Sequence, residues 1–141
     1  MPGLVLDPDF TFNALDARLE ALGWQSVRVG SGLASLIPGE PELATWRRGR
    51  VRLIYTFNPA VRLRMLDVRG GRARGLAKAL PLLDATRVQA LLASADRAEV
   101  LLGLLAARVV KGAGLREGIR AWSEAEDPLL SKVAAQTLAG L

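Results

Sequence analysis

The hydrophobic period of this chain changes at Arg69-Gly-Gly-Arg-Ala-Arg-Gly75 and does not change back. Upstream, Val51, Leu53, Tyr55 and Phe57 alternate with Arg52, Ile54 and Thr56, the period of two that a half-buried strand requires. Downstream, apolar residues recur at three and four up to the C-terminus, which is the stripe of an amphipathic helix. A chain carrying both periods buries a sheet face in one part and helix stripes in the other. The pattern predicts an α+β fold with an α+β subdomain over residues 1–70 and a helical subdomain over 71–141. With 141 residues, such a chain buries roughly two-thirds of its unfolded surface, enough to fold without a metal or a disulfide.

The N-terminal part opens with a helix over 10–23, where Phe12, Leu15, Leu19 and Leu22 form one stripe and Gly23 is the stop. Asp7-Pro8-Asp9 reads as the capped entry to that helix, since negative charge is favourable at a helix N-terminus. Trp24 to Val29 is a candidate strand, with Val27 and Val29 on one side. Gly30-Ser31-Gly32 and Pro38-Gly39-Glu40-Pro41 are turns. Leu43 to Val68 reads as an antiparallel meander of three to four strands turning at Gly49 and at Asn58-Pro59. Val61, Leu63 and Met65 are assigned to its apolar side and Arg62 and Arg64 to the opposite one, with a slip, and room for a bulge, at 65–68.

Four to five helices follow. A short turn at 76–80 stops at Pro81, and Asp84 caps a helix carrying Val88, Leu91 and Leu92. Asp96 caps a helix over 97–110, with Glu99 placed to complete a capping box. That helix is apolar almost all round and is expected at the buried centre, with Gly103, Ala106 and Ala107 admitting a close neighbour. Leu115, Ile119 and Trp122 mark the next. Asp127 and Pro128 then start a last helix whose apolar face is Leu129, Leu130, Val133, Ala134, Leu138 and Leu141.

The helices after Asp96 and Asp127 begin 31 residues apart, and a shorter amphipathic helix precedes each. Asp96 with Leu102, Gly103 and Val110, and Asp127 with Val133, Ala134, Ala135 and Leu141, resemble short bacterial HEAT-like repeats of the phycobilin-lyase type, over about residues 82–141. The resemblance implies a helical array whose second helices line an inner surface for protein contacts. The α+β part would then pack on that array and cap it. Residues 1–75 carry no such likeness.

The chain has no cysteine and no histidine. That excludes disulfides, thiolate nucleophiles, serine–histidine triads and histidine-based zinc sites. No catalytic, cofactor or metal residue is assigned. The longest apolar run, Val100 to Ala107, is eight residues, against the ~20 that span a bilayer. The aspartates of the first nine residues are unlike a signal peptide. A cytoplasmic protein with no membrane partner is expected.

The net charge of +5 is localised. Between Glu42 and Lys78, nine arginines and one lysine face two acids, a balance of +8. Arg47, Arg48, Arg50, Arg52, Arg62 and Arg64 form the candidate binding surface, with Arg52, Arg62 and Arg64 as a basic stripe on the open sheet face and Arg47, Arg48 and Arg50 at the turn, suited to phosphates. Tyr55 and Phe57 lie on the apolar side, away from any base-stacking role. Sixteen arginines against three lysines also fit a solvated face in an arginine-rich composition. The segment 69–75 reads as a hinge, and Trp122 is either packed against the last helix or, if exposed on the concave face, a candidate contact. The expected function is a non-catalytic protein–protein interaction module with an unidentified protein partner. The alternative is a nucleic-acid-binding accessory protein using the arginine face.

Overall fold

The computed structural model describes residues 3–29, 41–73, 75–110, 112 and 114–140. Among the described residues the fold is α+β, with a five-stranded antiparallel sheet and six helices. Contacts divide the chain into two units, Met1–Leu82 and Leu83–Leu141.

The first unit runs β1 (Leu4–Val5), α1 (Phe12–Ala21), β2 (Gln25–Val29), β3 (Leu43–Arg48), β4 (Val51–Asn58), β5 (Leu63–Arg69) and α2 (Leu76–Ala79). The strand order is β1-β5-β4-β3-β2. The expected meander is thus present, extended by β2 on one side and by β1, which the sequence did not suggest, on the other. One face carries Ala44, Trp46, Leu53, Tyr55, Phe57, Leu66 and Val68, all buried against Phe12, Leu15 and Leu19 of α1. Phe12, Trp46 and Tyr55 form an aromatic cluster with centroids 5.5–6.1 Å apart, and Trp46 Nε1 donates to Asp16 Oδ1 at 2.9 Å.

Local chemistry explains the ends of α1. Thr11, not Asp7 or Asp9, is the N-cap and accepts from the Ala14 amide. Asp7 instead closes a turn on the Asp9 amide at 2.9 Å. Gly23 stands at φ 91°, and the Gly23 and Trp24 amides donate to Glu20 and Leu19. This double return ends a helix at a left-handed glycine.

Two turns set the sheet register. Arg48 pairs with Val51 around Gly49-Arg50, with Gly49 at φ 62°. Asn58 pairs with Leu63 around a four-residue turn over 59–62, in which Asn58 Oδ1 accepts from the Ala60 amide and Arg62 adopts φ 56°. The turn consumes Val61 and Arg62 and flips the expected register of β5. Arg64, Leu66 and Val68 lie opposite Phe57, Tyr55 and Leu53 on the core face, and Leu63 and Met65 point the other way. Pairing through 65–68 is regular; the irregularity in the sheet is at Ser26/Arg28, where Val27 is 55% exposed. The Gly30–Gly32 and 38–40 turns lie outside the described residues.

The boundary expected at residue 70 falls inside this unit. Ala73, Leu76, Leu80 and Leu82 pack into the sheet's core, and Leu82 bridges Leu6. Arg18 also donates to Ala79 O. The change of period therefore precedes the change of unit by a dozen residues.

The second unit holds α3 (Ala85–Leu92), α4 (Arg97–Ala106), α5 (Leu115–Ser123) and α6 (Pro128–Ala139). α3 packs on α4, α5 on α6, α4 on α6 and α3 on α5, which makes two helical hairpins side by side. Asp84, Asp96 and Asp127 cap as expected. The capping box is not completed, because the Asp96 amide donates to Ser94 Oγ at 3.0 Å and not to Glu99. α4 is the buried centre, though it ends at Ala106 and not at 110. A Cβ on Gly103 would stand 3.1 Å from Leu91 Cβ, so α3 approaches closely where the sequence placed small residues. On α6 the buried positions are Leu130, Val133, Ala134 and Thr137. Leu129 is 41% exposed, and Leu141 lies outside the described residues.

Candidate functional site

The six arginines proposed as one surface do not form one. Arg64 is 5% exposed. Its guanidinium lies 4.5 Å from the Phe57 centroid and donates to Pro8 O. Arg62 donates to Asp9 Oδ1 at 2.9 Å and to Pro8 O at 3.1 Å, which holds the left-handed residue of the β4–β5 turn. Arg48 shares the parity of Trp46, so its guanidinium sits 4.6 Å over the Trp24 ring and donates to Leu22 O at 3.1 Å. These three tie the sheet to the segments around α1.

Arg47, Arg50 and Arg52 remain on the open side, and the structure brings two others to them. Arg47 pairs directly with Arg52, and Arg52 with Arg69, across three adjacent strands. Directly paired residues share a sheet face, so the three side chains form one row, opposite in parity to Trp46, Leu53 and Val68. Beyond the row, the chain leaving β5 passes the β3–β4 turn so closely that a Cβ on Gly70 would fall 2.4 Å from Arg50 O. Gly70 accordingly stands at φ 77°. This places Arg50 and Arg72 at the same end of the sheet. All five arginines are exposed, and among the described residues none has an ion-pair partner. Asp67 is on the same face, two residues inward on β5 and opposite Ile54.

By sequence alone Arg69 and Arg72 belong to a hinge. The signal that recovers them is register: counting pairs outward from Asn58 and Leu63 sets Arg69 opposite Arg52. That count needs the four-residue turn, which no strong turn motif announces beyond Asn58-Pro59.

Trp122 lies in the second unit. Its Nε1 donates to Leu92 O at 2.7 Å, which satisfies a carbonyl at the C-terminal end of α3. Its half-buried ring also forms one wall of a groove of about 330 Å³ between α3 and α5, with Gln89, Ala93, Glu117, Gly118 and Ala121 around it. The tryptophan thus stacks the hairpins and lines the depression between them.

Across the same unit, Arg97 donates from Nε and Nη2 to the two carboxylate oxygens of Asp127. The hydrogen bonds from Arg97 hold the Asp127 carboxyl down at about 2, aided by the Leu129 and Leu130 amides. The Arg97 pKa is raised by the same pair.

Chemically, the sheet corner is a set of planar, permanently charged forks with one acid, Asp67, a row inward from them, an excess of positive charge suited to anions. Among the described residues no group of three or more Asp or Glu is placed to hold a metal ion, and no helix is long and apolar enough to cross a membrane. Comparison with family models, with curated proteins and with solved structures gave no match.

Proposed function

We propose that the protein is a non-catalytic interaction module in which residues 83–141 form a two-unit array of HEAT-like type that docks a protein partner. The observation that carries this reading is the register of the two hairpins. Residues 31 apart take equivalent places: Asp96 and Asp127 cap α4 and α6, Val88 and Ile119 are both fully buried, and Gly103 and Ala134 are small and buried on the second helices. Bonds between the hairpins span similar intervals: Trp122 to Leu92, Asp127 to Arg97 and Thr137 to Arg108. Such stacking produces an extended surface whose use is binding. A chain without histidine or cysteine also lacks the side chains most used for acid–base and nucleophilic work.

The docking position we assign is the groove beside Trp122, which lies on the first helices α3 and α5 and not on the second helices that the resemblance makes the contact surface, since it combines a tryptophan with small neighbours. The experiment is affinity purification of the tagged chain from its source cells, run beside Ala121→Arg. A stoichiometric protein recovered with wild type and lost with the variant supports the reading. Recovery of no stoichiometric protein, or equal recovery with both, sinks it.

A further inference from the structure

We infer that the sheet corner formed by Arg47, Arg50, Arg52, Arg69 and Arg72 is a binding site for the phosphate backbone of a nucleic acid, read without regard to base sequence. The site belongs to the first unit, and the inference does not depend on the helical groove.

The row itself is the first reason. Adjacent strands lie ~4.8 Å apart, so Arg47, Arg52 and Arg69 bring three like charges within roughly 10 Å. Like charges directly opposite destabilise a sheet. Among the other described arginines, Arg18, Arg48, Arg62, Arg64, Arg97 and Arg108 each donate to a carbonyl, hydroxyl or carboxylate oxygen, and Arg87, Arg116 and Arg120 stand exposed on α3 and α5. The corner gathers five exposed arginines without an ion-pair partner in one place. An external anion supplies the missing partner.

The chemistry of the surroundings selects the class of anion. A protein interface needs an apolar, desolvated centre, whereas nucleic-acid interfaces are more polar and far more positive. The exposed large apolar residues among those described are Leu22, Val27, Leu43 and Leu129. None belongs to the β3–β4 turn or to the segment leaving β5. The corner's other exposed positions are Arg48, whose guanidinium is held over Trp24, and Gly49, Gly70 and Gly71, which present backbone without a side chain to hold a partner off. A guanidinium accepts a phosphate with two parallel N–H donors. No aromatic residue shares the face: Phe12, Trp46, Tyr55 and Phe57 are in the core. Base stacking is therefore absent, and binding rests on phosphates.

Five phosphate contacts give a salt slope near −4.5 on duplex DNA, so affinity falls roughly 500-fold between ~50 and ~200 mM salt. The test is fluorescence anisotropy with the full chain and a labelled duplex of arbitrary sequence. Wild type should bind at ~50 mM salt, equally to a scrambled duplex, and Arg52→Ala should reduce the slope by about one. The triple Arg47→Glu, Arg52→Glu, Arg69→Glu chain should not bind, while thermal unfolding reports that it is folded. Arg116→Ala with Arg120→Ala, two exposed arginines of α5, removes positive charge elsewhere and should leave binding unchanged. Three results overturn the inference: no binding by wild type at ~50 mM salt, equal weakening by the α5 control, or tighter binding of poly-glutamate than of duplex. The last would assign the corner to an acidic protein.

Discussion

Arg97 and Asp127 join the starts of α4 and α6 through two hydrogen bonds, although Asp127 already caps its own helix on the Leu129 and Leu130 amides. One carboxylate therefore serves two helices, and its charge state matters to both. Its folded pKa of about 2 is below the ordinary value of ~3.9. A depressed carboxyl contributes stability that is fully present above the unfolded pKa and is lost as pH falls through the folded one. Wild type should therefore lose thermal stability between about pH 4 and pH 2. Asp127→Asn should melt lower at neutral pH and show a shallower fall across that window. Melting by circular dichroism at pH 7, 4, 3 and 2 reads both; parallel curves would refute the assignment.

Gly103 faces α3 with Leu91 Cβ 3.1 Å and Leu92 Cδ2 3.3 Å from where its own Cβ would be. A larger side chain forces the two helices apart. Gly103→Val should destabilise by ~1–3 kcal/mol, seen as a lower urea midpoint at constant slope. A midpoint at or above wild type would show that α3 yields freely.

Gly70 answers for the sheet corner. At φ 77° and with Arg50 O 2.4 Å from a would-be Cβ, Gly70→Ala is both strained and crowded. The expected cost is about 1–3 kcal/mol in chemical unfolding. The variant should also weaken duplex binding, because Arg69 and Arg72 would be displaced from the β3–β4 turn.

Arg52 has an arginine on either side across the sheet. Arg52→Thr replaces it with a good strand former and removes two like-charge pairs, so stability should rise by ~0.2–1 kcal/mol. The gain should shrink in ~1 M salt, where screening is short-ranged. Urea midpoints at low and high salt decide this, and a loss of stability at low salt would mean that the arginine is held by contacts of its own.

Thr137 is buried, with its hydroxyl 3.1 Å from Leu104 O and 2.9 Å from Val133 O, and it accepts from Arg108 Nε at 3.1 Å. Thr137→Val keeps the shape and removes the oxygen. The expected loss is about 1–3 kcal/mol, since Arg108 and a buried carbonyl lose a partner, again read from urea midpoints.

The elements that were legible in the sequence are those with a period and a cap. Asp84, Asp96 and Asp127 announce three helices, and the alternation of Val51 to Phe57 announces β4 with its faces correctly assigned. β5 was misassigned because its register depends on how many residues the preceding turn consumes. With Arg62 and Val61 in the turn, Arg64 moves to the core face, where Phe57 and the Pro8 carbonyl receive its guanidinium. β1 was invisible because a two-residue strand has no period. Its pairing with Leu66 and Met65 is fixed by β5, sixty residues away. The boundary was placed early for a related reason: Arg69–Gly75 looks like a linker, yet Leu76, Leu80 and Leu82 beyond it are part of the sheet's core. Three of the six arginines were legible as free. Beside Phe57, the partners of the others, Pro8, Asp9, Leu22 and Trp24, lie at the ends of α1, whose position over the sheet no sequence period gives.

The pairing of Leu4 and Val5 with β5, and of Leu6 with Leu82, has a consequence for biosynthesis. A chain made from its N-terminus outward exposes its first strand long before that strand's neighbour exists. The last contacts of the first unit wait until residue 82 has left the ribosome, and the contacts formed then are the most distant in its sequence. Until β5 has emerged, residues 4–6 are unpaired backbone, able to join any strand edge they meet, and the Leu6 bridge to Leu82 closes later still. Release of a chain truncated before residue 82 should therefore give an aggregating product and not a smaller folded one.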